Sequence, residues 1–304
     1  PRMLKTLRVD GQDKYIVMDV EQAKKINTLL VEENLQALKD YSTFVMLNDT
    51  AKYANANYAK LSDDMKNALY GITESWGDEK TWKNLTQDML PWDFGMIYVK
   101  EHFSAKDKEA VEKMIEQILE EYETIINRQD WMSDATKKKA IRKLETMQVK
   151  IGYPDRWPAA RDMMQVTPVS EGGSLLSNLL VSMQVAIEDS LNKLGTKVDR
   201  TEWDVTPQTI NAMYDPLNNE IIFPAAILQA PFYDRDNSYG ANLGGIGFII
   251  AHEVSHAFDS SGALYDEYGN YNVWWTDEEL AEYKRMSQSI VDYYNNYEMI
   301  GVNV

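Results

Sequence analysis

Between Ser104 and Pro154 the chain repeats apolar residues at a period that only a helix can bury along one side. Each of Val111, Met114, Ile115, Ile118, Leu119, Tyr122 and Ile125 has another of the set three or four positions away, so they share one face of a helix that Ser104 can cap. A second helix is expected after Ser133, ending before the IGYP at 151–154. Helical spacing reaches back to about residue 20, and the Met and aromatic stripes along it read most simply as core packing.

The pattern changes after residue 155. Pro158, Pro168, Gly172 and Gly173 make 155–174 the best linker candidate. Another helix is expected over roughly 175–195. Beyond it, NAMY and EIIF are short β-type runs separated by DPLNN, a turn signal that implies a strand or hairpin edge. The expected fold class is therefore mostly α (α+β), with a helical domain over 1–171 and a second domain over 172–304.

With 304 residues, 44% of them hydrophobic, the chain can bury a sizeable core. Its uncharged apolar runs, Ile246–Ala251 among them, are far short of the roughly 20 residues a membrane span needs. The net charge of −17 argues against nucleic acid or anionic lipid as a partner. From Glu171 onward six Lys and Arg stand against twenty Asp and Glu, so −14 of that charge lies in the second part, where a bound cation would be comfortable. There is no cysteine. Disulfides and thiolate zinc sites are thereby excluded, and a reducing compartment or a bacterial origin is favoured. The opening PRMLKTLRVDGQDKY has neither an initiator Met nor a signal-type apolar core, so the gene product is expected to begin upstream.

The chain has only three histidines, His102, His252 and His256. Two lie four apart within GGIGFIIAHEVSHAFDSSG, with Glu253 between them. On a helix over about 246–258, His252 and His256 project from one face and can share an ion, while Glu253 lies about 100° round. Imidazoles suit Zn²⁺, and with a third protein ligand they leave one position for water, whose pKa zinc lowers to about 7. Glu253 can take that proton during attack on a carbonyl and pass it to the leaving amine. The bland alternative is two unrelated core histidines, but burying two imidazoles and a carboxylate on an apolar helix is costly without pairing or a metal. His102, in KEHFS, reads as structural. The GGIG run is no phosphate loop, since neither phosphate-binding glycine pattern is present.

A metzincin would need Gly at 259 and His at 262; the chain has Asp259 and Gly262. A ligand from a following helix is the other possibility, and Glu278, Glu279 and Glu282 stand at a tempting distance. Their simpler role is a helix N-terminus capped by Thr276.

INAMYDP, NEIIFPAAILQAPFY, YGANLGGIGFIIAHEVSHAFDSSG and WWT resemble the catalytic half of the neprilysin (M13) family of zinc endopeptidases, especially its bacterial oligopeptidase members. IYVKEHF, WMSDATKKKAIRKL and IGYPDRW are similar to that family's helical half. The resemblance implies a helical lid over 1–171, capping the cleft, and part of a thermolysin-like catalytic domain over 172–304. It implies one Zn²⁺ in the intact enzyme, held by His252 and His256, with Glu253 as general base and Asp259 orienting a ligand imidazole. Asn211 and Ala212 would hydrogen-bond the backbone of a peptide substrate, and Ile227, Phe232, Phe248 and Ile249 would lie near an apolar pocket for the side chain after the scissile bond. Each of those four is equally readable as core. Ala226 and Ala251 stand where the family has Gly, and Ala230 where it has Pro.

In the family the third zinc ligand is a Glu in an E-N-x-x-D motif after a segment like GVNVNG, and this chain ends at MIGVNV. It is thus expected to be a fragment whose partners are the N- and C-terminal segments of the same protein, inactive alone, with zinc weakly held or absent. The intact protein is expected to cut oligopeptides on the amino side of hydrophobic residues, in the bacterial cytoplasm, with an extracellular place left open. The alternative is a non-catalytic peptide-binding module with a degenerate metal site.

Overall fold

The structure is a computed structural model that describes residues 11, 19–73, 77–296, 298–299 and 302–303; most of the opening PRMLKTLRVDGQDKY lies outside them, as does part of MIGVNV. Side-chain caps mark where many of the helices begin. Asp19 accepts from Gln22 N–H at the start of α1, Val20–Leu29. After α2, Leu35–Thr50, Asn55 caps α3, Ala56–Tyr70, which ends on Gly71 in a left-handed conformation. Helices α4, Asp78–Met89, and α5, Pro91–His102, follow. Ser104 and Asp107 form a reciprocal capping box at α6, Ala105–Arg128. Ser133 caps α7, Asp134–Glu145. The apolar stripe expected on α6 is buried at Val111, Met114 and Ile115.

Strand β1, Gln148–Gly152, comes next, then α8, Leu175–Asn192, β2, Met213–Asp215, and β3, Glu220–Pro224. The β2–β3 turn contains Asn219 at φ 47°, a left-handed position that Asn tolerates. This is the hairpin expected from NAMY, DPLNN and EIIF. The parallel pairing of β1 with β3, Gln148 opposite Glu220, was not expected and completes a sheet of order β1-β3-β2. Helix α9, Phe248–Ser255, carries the histidine motif, and α10, Asp277–Asn295, follows.

The chain divides into two compact units, and not at 171/172. One comprises 1–91 and 157–199, the other 92–156 and 200–304. The reason is packing: β1 is hydrogen-bonded to β3, and α6 packs on α9, so 92–156 belongs with the histidine motif rather than with the preceding helices. The core of this second unit runs from Phe103 through Ile151 and Phe223 to Trp275. In the first unit, Phe44, Met46, Leu47, Leu61 and Leu69 are exposed. The core-packing expectation therefore holds for α6 and fails for α2 and α3. No helix among the described residues is long and apolar enough to cross a membrane.

One contact within the second unit predicts an acid response. Glu279, 5% exposed, accepts from Thr276 N–H, Ser133 N–H and the Thr136 hydroxyl, thereby joining the N-termini of α10 and α7. Burial alone would raise its pKa, but these donors outweigh burial and hold the carboxyl down at about 2. A depressed folded pKa contributes stability above the unfolded value of 4.5 that is lost as pH falls toward 2. Glu279→Gln is therefore expected to cost on the order of 2 kcal/mol at pH 7 and much less at pH 3. Urea unfolding at the two pH values measures this, and an equal cost at both would refute the clamp.

Candidate metal centre

The motif helix starts where the chain is pinned. Residues Leu243–Gly247 form a π turn directly before α9, a local widening common near functional sites. Ile246 N–H donates to the Phe232 carbonyl at 2.8 Å. A Cβ on Gly245 would stand 2.3 Å from that same oxygen, so only glycine lets the two backbones meet. On the other flank the Tyr122 hydroxyl of α6 donates to the Ala251 carbonyl at 2.6 Å. Rotation and height of α9 are thus set from two sides.

His252 lies on the exposed face of α9, and His256 opens the 3₁₀ turn His256–Phe258 that continues it. Their Nε2 atoms face each other at 3.2 Å. His256 Nδ1 is 2.8 Å from Asp259 Oδ2, which holds the proton on Nδ1 and leaves the Nε2 lone pair aimed at His252. Two nitrogens bound tetrahedrally at about 2.0–2.1 Å to one Zn²⁺ would stand about 3.3 Å apart. The donor set fits zinc in both chemistry and spacing.

Asp259 is itself fixed. Its Oδ1 accepts from Ser261 N–H and Gly262 N–H, both at 2.8 Å. Burial would raise its pKa, but the His256 ring and these two amides bring it below the usual carboxylate value. A Cβ on Gly262 would meet the His256 carbonyl at 2.0 Å, so this close return of the chain also requires glycine.

Glu253 is buried. Burial pushes its pKa up, opposed by the charge of His256 and His252 and by a hydrogen bond from Tyr214 N–H of β2. His252, Glu253 and His256 present ligand atoms within 4.8 Å of one another, the one such group among the described residues. Beside them a cleft of about 320 Å³ is lined by Ala212, Met213, Tyr214, Glu253, His256 and Asp259, among others.

The remaining expected residues are placed as follows. Asn211 is exposed, with its Oδ1 held by Ala212 N–H at 3.0 Å. Ile227 lies in the core and Ile249 packs against it. Phe232 is partly exposed, whereas Phe248 is 71% exposed and precedes His252 by four positions on the same helix face. His102 ends α5 with its ring 4.9 Å from that of Tyr98, and it is not part of the ligand group. Glu279 is occupied as described, and Glu282 pairs with Arg285 at 2.6 Å; neither belongs to the ligand group either. The sequence reading missed Lys143, whose buried ammonium reaches the turn after His256.

Two family models, both described as Peptidase family M13, match residues 2–154 and 211–302. A neutral endopeptidase of Lactobacillus helveticus is 38% identical over 97% of this chain and 45% of its own length. One from Lactococcus lactis subsp. cremoris is 31% identical over 97% and 47%. Among solved structures, PEPO from Lactobacillus rhamnosis matches with TM-score 0.82 at 34% identity, over 92% of this chain and 44% of that one. The zinc metalloprotease ZMP1 of Mycobacterium tuberculosis, solved with an inhibitor, matches with TM-score 0.80 at 31% identity, over 90% and 41%. The chain spans less than half the length of these relatives.

Proposed function

The chain belongs to peptidase family M13, and from that membership we propose that the protein carrying it is a zinc endopeptidase that hydrolyses oligopeptides on the amino side of hydrophobic residues. The observation that carries this reading is the pair of Nε2 atoms 3.2 Å apart with Asp259 behind one of them. Zinc, when bound, supplies a Lewis acid that acidifies water and polarises a carbonyl. His252 and His256 hold the metal, and Asp259 keeps the His256 proton on Nδ1. Glu253, held by Tyr214 N–H, takes a proton from the attacking water and delivers it to the departing amine nitrogen. Its burial raises its basicity toward what a general base needs.

An extended peptide would lie along β2, which is an edge strand, close to Asn211 and Ala212. Phe248, exposed one turn before His252, is the apolar surface best placed to favour a hydrophobic residue next to the cut.

The test is zinc content and peptide hydrolysis together. The full-length protein is expected to hold about one zinc per chain and to cleave a fluorogenic peptide in a chelator-sensitive manner. Residues 1–304 alone, whose described part gathers two imidazoles and one carboxylate assigned as a base, should bind zinc weakly and cleave nothing. Full-length protein that binds the peptide intact and carries no zinc would instead establish a peptide-binding module.

A further inference from the structure

The ammonium of Lys143, on α7, donates to three backbone carbonyls, those of Ala257 at 3.0 Å, Gly262 at 2.7 Å and Tyr265 at 2.8 Å. The residue is 1% exposed. A buried charge costs several kcal/mol unless its donors are satisfied, and here each ammonium N–H has a carbonyl. Desolvation brings its pKa down to about 8, against the opposing charges of Asp259, Asp266 and Glu267. A site that needed only packing would be served better by an aliphatic side chain.

All three acceptors belong to the segment that leaves the metal helix and turns back under it. Ala257 directly follows His256. Gly262 supplies, through its N–H, one of the two bonds that hold Asp259, and its own carbonyl is held by Lys143. The backbone that carries the side chain is fixed too: the Lys143 carbonyl accepts from Asn219 Nδ2 at 2.9 Å, and Asn219 Oδ1 accepts from the Tyr214 hydroxyl at 3.0 Å. Tyr214 is also the residue whose N–H holds Glu253.

We propose that Lys143 is a positioning residue of the metal centre, its ammonium clamping the 257–265 turn so that Asp259 stays set against His256 Nδ1. This rests on the zinc reading given above. Loss of the ammonium removes the donor that joins the three carbonyls, leaving Gly262 O only the Tyr265 N–H and Tyr265 O only the Trp274 indole; this loosens the Gly262 amide and lets Asp259 swing away, while His252, His256 and Glu253 are untouched. Removing the partner that orients a ligating imidazole costs about 10–100-fold in metal affinity or activity, and Lys143 should act through that same partner.

The experiment measures zinc affinity by chelator competition, apart from activity, in full-length Lys143→Met, Asp259→Asn, the double variant and Lys143→Arg. Expected are zinc binding weakened about 10-fold or more in Lys143→Met, little further loss when it is added to Asp259→Asn, and partial recovery in Lys143→Arg. Independent, additive losses in the double variant would overturn the proposal. So would lowered thermal stability with unchanged zinc affinity. Should Lys143→Met fail to fold, Lys143→Gln, which keeps amide donors for two carbonyls, is read by the same criteria of weakened zinc and non-additivity. His256→Ala serves as the control: if it retains zinc, the zinc reading fails, whereas zinc lost there and kept in the Lys143 variants defeats only the clamp.

Discussion

Glu253→Gln in the full-length protein is expected to retain zinc at the parent stoichiometry while kcat falls by about 10²–10⁴-fold, the usual cost of losing a general base. The substitution is nearly isosteric, and the amide oxygen can still accept from Tyr214 N–H, so the side chain should remain in place beside the cleft. What disappears is the ability to take a proton. Because neither imidazole is changed and the Asp259 contact to His256 is separate, KM and zinc content should move little. Metal analysis beside steady-state kinetics decides the matter. Zinc and activity lost in proportion would make Glu253 a ligand, and the assignment of base would fail.

His256→Ala is expected to do the opposite, emptying the site and abolishing hydrolysis. One of the two facing nitrogens is removed, and a lone His252 on an exposed helix face is a weak zinc donor. The fold should survive, since Asp259 keeps the Ser261 and Gly262 amides and Lys143 keeps its three carbonyls. Zinc per chain should fall at least about 10-fold, with turnover below that of Glu253→Gln, because metal and base operate as a unit. A His256→Ala protein that still carried stoichiometric zinc would place the metal elsewhere.

The features legible in the sequence are those with a local signature. Ser104, Ser133 and Thr276 announce their helices because a cap acts within three residues, and His252 and His256 announce a shared face because four residues make about one turn. The β1–β3 pairing was silent, since a parallel partner 72 residues away leaves no mark on QVKIG. Lys143 was silent too: in KKKAIRKL it looks like its neighbours, and only burial sets it apart. Helical spacing back to about residue 20 was read as core packing, yet Phe44, Leu47 and Leu61 are exposed, because a period records that a face is apolar and says nothing of what covers it.

The interrupted second unit also bears on how the protein is made. Its first part, 92–156, is synthesised early, yet β1 must wait for β3, with 157–199 emerging in between. Closing a loop of that length costs on the order of 4 kcal/mol in chain entropy before any contact repays it. A ribosome pausing before Phe223 would therefore display α6 and α7 with their apolar faces bare, the state in which a nascent chain is most prone to aggregate or to need a chaperone. The metal centre, whose helix begins 24 residues beyond Pro224, can acquire its shape only after that closure. Cellular yield should accordingly respond more to changes at Ile221 and Phe223 than to changes at the histidines.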